Sequence, residues 1–173
     1  MKNIIDDGFN SELVSKALFT GKLEIPCIEK PEKFIVPDAL VPFTKMSSNP
    51  NYSCAVHFYE HDKNFSDVLT CTNEYLSEFK KFSAVISPDC SLYRDMPLCL
   101  QIANTYMNRA VGCYLQSQGI YVIPNVRWSD ERSYTTVELP EKFAFLGVPK
   151  NSIVSIGTYG CIRSKVNKQY FIE

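Results

Sequence analysis

The sequence lacks the features that would assign it to a common functional class. No hydrophobic run approaches the length of a membrane span, and the amino terminus has no apolar core long enough for a signal peptide. The P-loop, dinucleotide-binding, nucleophile-elbow and H-E-x-x-H motifs are also absent. These absences favour a cytoplasmic protein that does not contact a membrane, and they leave its reaction unnamed.

Metal ligands and net charge are scarce as well. The chain has only two histidines, His57 and His61, and its seven cysteines form no C-x-x-C pair. We therefore expect reduced thiols, no metal site and no cofactor. The 18 basic and 19 acidic side chains leave a net charge of −1, so the total charge gives no support to nucleic-acid binding.

Alternating strand and helix patterns predict an α/β fold. A chain of 173 residues with 45% hydrophobic residues can bury one well-packed core. We predict a mainly parallel sheet of about four strands with flanking helices, either doubly wound or part of a barrel. The predicted strands cover residues 55–59, 82–87, 120–123 and 152–156. The predicted helices cover 9–18, a segment that begins near Asn64, 97–117, a short stretch after Pro140, and 167–173.

Five prolines break the first 55 residues into short segments, at positions 26, 31, 37, 42 and 50. We interpret residues 1–55 as an irregular arm packed on an α/β domain of residues 56–173. Residues 39–43 are apolar enough to pack on a surface. The arm either wraps the outside of the sheet, or it covers the site or meets a partner.

The predicted helix at 97–117 has an unusual polar face. It is rich in amides and carries one charge, whereas a solvated helix face usually carries several. The candidate partner-binding residues on this face are Gln101, Asn104, Asn108 and Arg109. Three alternatives stay open: the face contacts another segment of the chain, a partner chain, or water.

Polar residues cluster where the predicted strands end. Because parallel strands place their carboxyl ends at one edge of a sheet, we expect these residues to form a site there. The candidate catalytic residues are Asp89, Asp95, Asn125 and Arg127. The candidate ligand-binding residues are Ser91, Tyr93, Arg94, Trp128, Asp130 and Thr158.

Each of these candidates also has a structural alternative. Asp89 can form a turn after Pro88, and Asp95 can cap the predicted helix at 97–117. Arg94 and Arg127 can pair with these carboxylates as structural ions. A Cys90–His61 nucleophile pair is a further, less favoured hypothesis.

Specific motifs resemble one known family across nearly the whole chain. The matching segments are Val56-His57-Phe58, Ser87-Pro88-Asp89, Ser91-Leu92-Tyr93-Arg94-Asp95-Met96-Pro97, Gln101, Asn104-Thr105-Tyr106, Asn108-Arg109, Gln116, Gly119, Val122-Ile123-Pro124-Asn125-Val126-Arg127-Trp128, Asp130-Glu131-Arg132, Pro149-Lys150-Asn151-Ser152 and Gly157-Thr158. They resemble domain-of-unknown-function family 4417, which occurs in bacterial genomes, prophages and plasmids. Ser129 replaces a glycine of the family pattern, and residues 134–146 depart from it.

The resemblance implies a mobile-element protein without supplying a reaction. From the residues we expect a polar pocket that binds a small anionic ligand, with acid/base chemistry. The alternative is a phage- or plasmid-borne protein-binding module, for example an inhibitor of host defence, without catalysis. A nucleic-acid accessory role is less favoured, and a homo-oligomer is possible on either interpretation.

Overall fold

Apolar, β-branched segments of two or three residues form the strands of a four-stranded parallel sheet. The computed structural model describes residues 10–158 and residue 169. The sheet has the order β3-β4-β5-β6, and all three neighbouring pairs are parallel. Its strands are β3 (Leu40–Pro42), β4 (Ala55–His57), β5 (Ala84–Ile86) and β6 (Val122–Ile123). A separate antiparallel pair consists of β1 (Phe19–Thr20) and β2 (Ile25–Pro26).

One long helix and several short ones flank the sheet. The α-helices are α1 (Ser66–Thr70), α2 (Leu76–Phe79), α3 (Leu98–Ser117) and α4 (Glu131–Tyr134). Single 3-10 turns cover Ser11–Val14, Phe43–Ser48, Asp62–Asn64, Thr72–Tyr75 and Phe143–Phe145. No helix among the described residues is both long and apolar enough to cross a membrane. The predicted α/β class with a parallel sheet is confirmed.

The predicted strand at residues 152–156 is wrong, and β3 is the fourth strand of the sheet instead. Ser155 forms only an isolated parallel bridge with Asn125 beyond the end of β6. At the opposite edge, Leu40, Val41 and Pro42 pair in register with the three residues of β4. A proline is tolerated in β3 because an edge strand needs hydrogen bonds on one side only.

The irregular arm predicted for residues 1–55 is not confirmed. Its described part contributes β3 to the main sheet and also contains the β1–β2 pair. The predicted helix at 9–18 is a 3-10 turn at Ser11–Val14, and residue 9 lies outside the described residues. The division of the chain after residue 55 stays a prediction.

Two further helix predictions differ from the structure. The helix expected from Asn64 is broken into four short pieces between Asp62 and Phe79, and the backbone of Cys71 leaves the helical region there. Thr72 Oγ1 donates to the Val68 carbonyl. This side-chain hydrogen bond competes with the backbone bonds that would continue the helix. The helix predicted after Pro140 is only the turn Phe143–Phe145. The helix predicted at 167–173 lies outside the described residues except for residue 169.

The two faces of the sheet carry different side chains because residues alternate along a strand. Val41, Val56, Val85 and Val122 belong to the larger buried cluster, which also contains apolar residues of α3. Ala55, Ala84, Ile86 and Ile123 form a second, smaller cluster with the half-buried Tyr59, Tyr121 and Ile153.

Helix α3 matches the predicted helix but is buried through its polar face. Gln101, Thr105, Asn108 and Arg109 are all buried, whereas Leu100 is 51% exposed, and Cys99 and Ala103 are also exposed. The amide face therefore contacts another segment of the same chain, which was one of the three alternatives. The side chains of Gln101, Asn108 and Arg109 lie inside the fold, and their contact with a partner stays a prediction.

A glycine in α3 permits this close packing. A Cβ placed on Gly112 would lie 2.4 Å from Ile28 Cδ1 and 3.2 Å from Ser87 Cβ. Ile28 is itself fully buried, so it has little room to move. Gly112 thus lets α3 approach both the segment after β2 and the end of β5.

We expect Gly112→Ala to destabilise the protein. Alanine would favour the helix by about 1 kcal/mol, but overpacking a buried site costs about 1–3 kcal/mol. The free energy of unfolding, measured by urea denaturation, should therefore fall. Adding Ile28→Val removes the clashing methyl group and should recover stability relative to Gly112→Ala. A double variant no more stable than the single one would contradict this packing explanation.

Candidate functional site

The carboxyl ends of three neighbouring strands bring four polar side chains together. Tyr59 follows β4, Asp89 follows β5, and Asn125 and Arg127 follow β6. The strands are parallel, so their ends share one edge of the sheet, and we call these four residues the rim cluster. Three of the four candidate catalytic residues therefore meet as the sequence suggested.

Asp89 is the centre of the rim cluster. Asn125 Nδ2 donates to its Oδ1 over 2.7 Å, and Arg127 Nη1 forms an ion pair with its Oδ2 over 2.6 Å. Both members of the ion pair are buried, Asp89 at 2% exposure and Arg127 at 8%. Charge-assisted bonds of this length fix the positions of both side chains.

Burial determines the protonation behaviour of Asp89. Removal from water raises the pKa of its carboxyl group, and the nearby Asp62 adds to this effect. Arg127 and the hydrogen bond from Asn125 act in the opposite direction. The net result is a pKa above the ordinary value for aspartate.

Sequence reasoning did not select Tyr59, the fourth residue of the rim cluster, or its hydrogen-bond partner Ser155. The Tyr59 hydroxyl lies 3.3 Å from Asn125 Oδ1, to which it donates, and 2.5 Å from Ser155 Oγ. Burial raises the pKa of Tyr59 to about 12, so the hydroxyl keeps its proton at neutral pH. A Cβ on Gly157 would lie 2.3 Å from the Tyr59 ring, so glycine is required for this ring position. The sequence did contain a signal for Tyr59, because this polar side chain lies two residues after the last residue of β4, at the carboxyl edge of the sheet.

The polar face of α3 holds Asn125 in place from behind. Asn108 Nδ2 and Arg109 Nη1 both donate to the Asn125 carbonyl, over 3.1 Å and 2.8 Å. Ser87 Oγ accepts from the Asn125 backbone N–H over 2.8 Å and donates to Asn108 Oδ1 over 2.7 Å. The backbone donor and acceptor of Asn125 are thus satisfied inside the chain.

Arg109 is a buried cation bound by neutral oxygens. Besides the Asn125 carbonyl, it donates to Asn108 Oδ1 and to the carbonyls of Ala144 and Leu146, over 2.7–3.0 Å. Desolvation lowers its pKa to about 10, so it stays protonated at neutral pH. The guanidinium joins α3, the end of β6 and the turn at Phe143–Phe145, which makes it a structural clamp behind the rim cluster.

The predicted ligand-binding residues before α3 lie in different environments. Ser91 is buried, and both its N–H and its hydroxyl donate to the carboxylate of Asp62, over 2.9 Å and 2.6 Å. Tyr93 and Arg94 have exposed side chains. The Arg94 carbonyl accepts a hydrogen bond from Arg132 Nη2 over 2.6 Å. Their role as ligand contacts stays a prediction.

The predicted ligand-binding residues after β6 are equally diverse. Trp128 is half-buried and Thr158 is exposed. Asp130 caps α4, since its Oδ1 accepts from the Arg132 N–H over 3.1 Å, and its carboxylate also pairs with the Arg132 guanidinium. Asp130 therefore has a structural role in this fold, whatever else it contacts.

Asp95 does not share the environment of Asp89. It is exposed on the loop before α3, whereas Asp89, Asn125 and Arg127 are buried. It does not cap the helix either, because Pro97 is the N-cap residue and no side chain caps that end. The predicted pair of carboxylates is thus not assembled.

Among the amide residues of α3, Gln101 and Asn104 fix the loop before the helix. Gln101 Nε2 donates to the carbonyls of Tyr93 and Met96, over 3.1 Å and 2.9 Å. Asn104 Nδ2 donates to the Ser91 carbonyl over 2.6 Å. These bonds shape the loop that follows Asp89.

Cys90 is unsuited to nucleophilic attack. It is 3% exposed, and burial raises its pKa well above the usual range of a thiol, so the thiolate is not formed at neutral pH. The six cysteines of the described residues all carry free thiols. Within the same residues, no group of three or more potential metal ligands is present.

We expect Arg109→Met to destabilise the protein by about 3 kcal/mol or more, because four hydrogen bonds inside the fold would be lost, including those to the carbonyls of Ala144 and Leu146. Urea denaturation would measure the loss. Lys81→Met removes a cation from an exposed pair with Glu78 and should cost less than about 1 kcal/mol. If Arg109→Met were as stable as the wild type, the free-energy cost of burying the Arg109 charge would equal the stabilisation from its hydrogen bonds.

Comparison with known proteins places the chain in a family. The model of the family described as Domain of unknown function (DUF4417) matches residues 17–173. The Gene 1 protein of Mycobacterium phage L5 is 34% identical over 117 residues, which cover 68% of this chain and 48% of that protein. The Gene 1 protein of Mycobacterium phage D29 is also 34% identical over 117 residues, covering 68% of this chain and 41% of the relative.

The chain thus matches less than half the length of these two curated relatives. No solved structure matches it. The resemblance found in the sequence motifs is confirmed, and phages encode related proteins. The chain belongs to the DUF4417 family of domains of unknown function.

Proposed function

We propose that the rim cluster binds a small anionic ligand and exchanges a proton with it. Arg127 supplies the positive charge and the parallel N–H donors that recognise a carboxylate or phosphate group. Asn125 and Tyr59 supply neutral polar groups beside it, and Asp89 supplies the exchangeable proton.

The observation that carries this proposal is the meeting of Asp89, Asn125 and Arg127 at neighbouring strand ends. The carboxyl edge of a parallel sheet is where α/β proteins bind their ligands. A buried aspartate with a raised pKa beside an arginine is also typical of functional sites.

The Arg109 clamp supports the same interpretation. Hydrogen bonds with Ser87, Asn108 and Arg109 fix the backbone of Asn125. None of these bonds uses the side-chain amide of Asn125 or the Arg127 guanidinium. The functional side chains are therefore held on a rigid base, as binding sites require.

A second candidate function is a protein-binding module. The observation that favours it is the exposure of three uncharged residues at the start of α3, Cys99, Leu100 and Ala103. Uncharged apolar surface of this kind is typical of contact regions between proteins. Leu100→Glu should abolish capture of a host protein by the immobilised chain, while anion binding at the rim cluster persists. Capture unchanged by this substitution would exclude the surface.

We expect small anions to raise the melting temperature of the wild-type protein, because a ligand that binds the folded state stabilises it. A thermal-shift screen would compare inorganic phosphate, sulfate, nucleoside monophosphates and dicarboxylates at constant ionic strength. Arg127→Gln should abolish the shift, since the variant lacks the charge that holds the anion.

The matched control for this screen is Phe82→Leu. Phe82 is buried just before β5, at the opposite end of that strand from Asp89, so its substitution destabilises the core without altering the rim cluster. It should retain the full anion-dependent shift. Equal shifts in wild type and Arg127→Gln would reject the proposed site.

A further inference from the structure

We propose that the anion takes the place of Asp89 at Arg127, and that Asp89 takes up one proton from solution as the anion binds. This inference rests on the proposed function and adds the class of ligand and the regulation of its binding. The ligand is an oxyanion that competes with a carboxylate for a guanidinium group.

The geometry of the ion pair is the first step. Both oxygens of Asp89 are engaged, one by Asn125 and one by Arg127. An incoming anion therefore finds Arg127 already neutralised by a side chain of the protein. Both residues are buried, and Arg127 is the more exposed of the two, at 8% against 2%. The exchange needs Arg127 to turn from Asp89 towards the ligand.

The surroundings of Asp89 decide what happens to its charge after the exchange. Beyond the end of β4, it faces the hydroxyl of Tyr59 and the carboxylate of Asp62. Beyond the end of β6, it faces the Asn125 amide and Arg127. On its own loop, the neighbouring Cys90 is a neutral thiol.

A second cation, Arg109, is held by a different part of this network. Among the described residues, Arg109 of α3 also interacts with Cys90, but its hydrogen bonds go to Asn108 and to carbonyl groups, including that of Asn125. Its guanidinium cannot replace Arg127 beside the Asp89 carboxylate without giving up those bonds.

Once Arg127 pairs with the ligand, Asp89 would be a buried carboxylate close to Asp62 and to the new anion. A buried charge without its counter-ion is strongly unfavourable. Protonation removes this cost, and the proton comes from solvent as hydronium or from the buffer acid. The Asn125 amide can keep its hydrogen bond to the neutral carboxyl group. Anion binding and proton binding are thereby coupled.

The sign of the coupling follows from the two protonation states. The pKa of Asp89 is higher in the complex than in the free protein, so between these two values each bound anion brings one proton. In that pH range the dissociation constant should rise by up to about tenfold per pH unit as pH increases. Protonated Asp89 would also be placed to donate its proton to the bound molecule.

The test is isothermal titration calorimetry of the wild-type chain with sulfate, which does not titrate between about pH 5 and pH 8. Titrations in buffers of different ionisation enthalpy give the number of protons taken up. We expect net uptake in the wild type and none in Asp89→Asn. The Asp89→Asn variant should bind sulfate several-fold more tightly than wild type at pH 8, and with little pH dependence, because a neutral amide does not compete for Arg127.

The outcomes separate this inference from the proposed function. Absence of sulfate binding to the wild type would reject both. Binding without proton uptake, or weaker binding by Asp89→Asn than by wild type, would overturn the exchange while leaving the anion site. Proton uptake that persists in Asp89→Asn would assign it to another group, such as the half-buried His57, and would also overturn the inference. Phe82→Leu should match the wild type in affinity and in proton uptake.

Discussion

The backbone of Asn125 holds the structure together at the rim cluster. Its N–H donates to Ser87 at the end of β5, and its carbonyl accepts from Asn108 and Arg109 of α3. One residue therefore joins two strands and the long helix through groups that are completely buried. In such surroundings each unsatisfied polar group costs about 1–3 kcal/mol. The packing of α3 is consequently specified by hydrogen bonds as well as by apolar contact.

This arrangement explains why α3 buries polar side chains. The helix turns Gln101, Asn108 and Arg109 inwards, because the loops and strand ends present carbonyl groups and hydroxyls to it. Leu100 is left half-exposed at the same time. A polar interior of this kind rigidifies a fold when all its members are satisfied. The rim cluster is built on that rigid layer, through the bonds that Ser87, Asn108 and Arg109 make with the Asn125 backbone.

The relatives of this chain include proteins encoded by phages. Phage-encoded Gene 1 proteins share 34% identity over 117 residues with this chain, and the shared part is less than half of each relative. A site made of Asp89, Asn125 and Arg127 lies within the residues matched by the family model. The chemistry available there is that of a guanidinium, a buried carboxyl group and two neutral donors or acceptors, which suits recognition of a small oxyanion.

The sequence by itself determined the α/β class, the position of α3 and the meeting of Asp89, Asn125 and Arg127. These features depend on local hydrophobic pattern and on the rule that parallel strands share a carboxyl edge, both of which can be read from short segments. Only the tertiary structure decided that Leu40–Pro42 is the edge strand, that Tyr59 joins the rim cluster with Ser155 as its partner, and that the amide face of α3 is buried. Each of these results depends on contacts between residues far apart in the chain, such as Tyr59 with Ser155, and no local pattern records them.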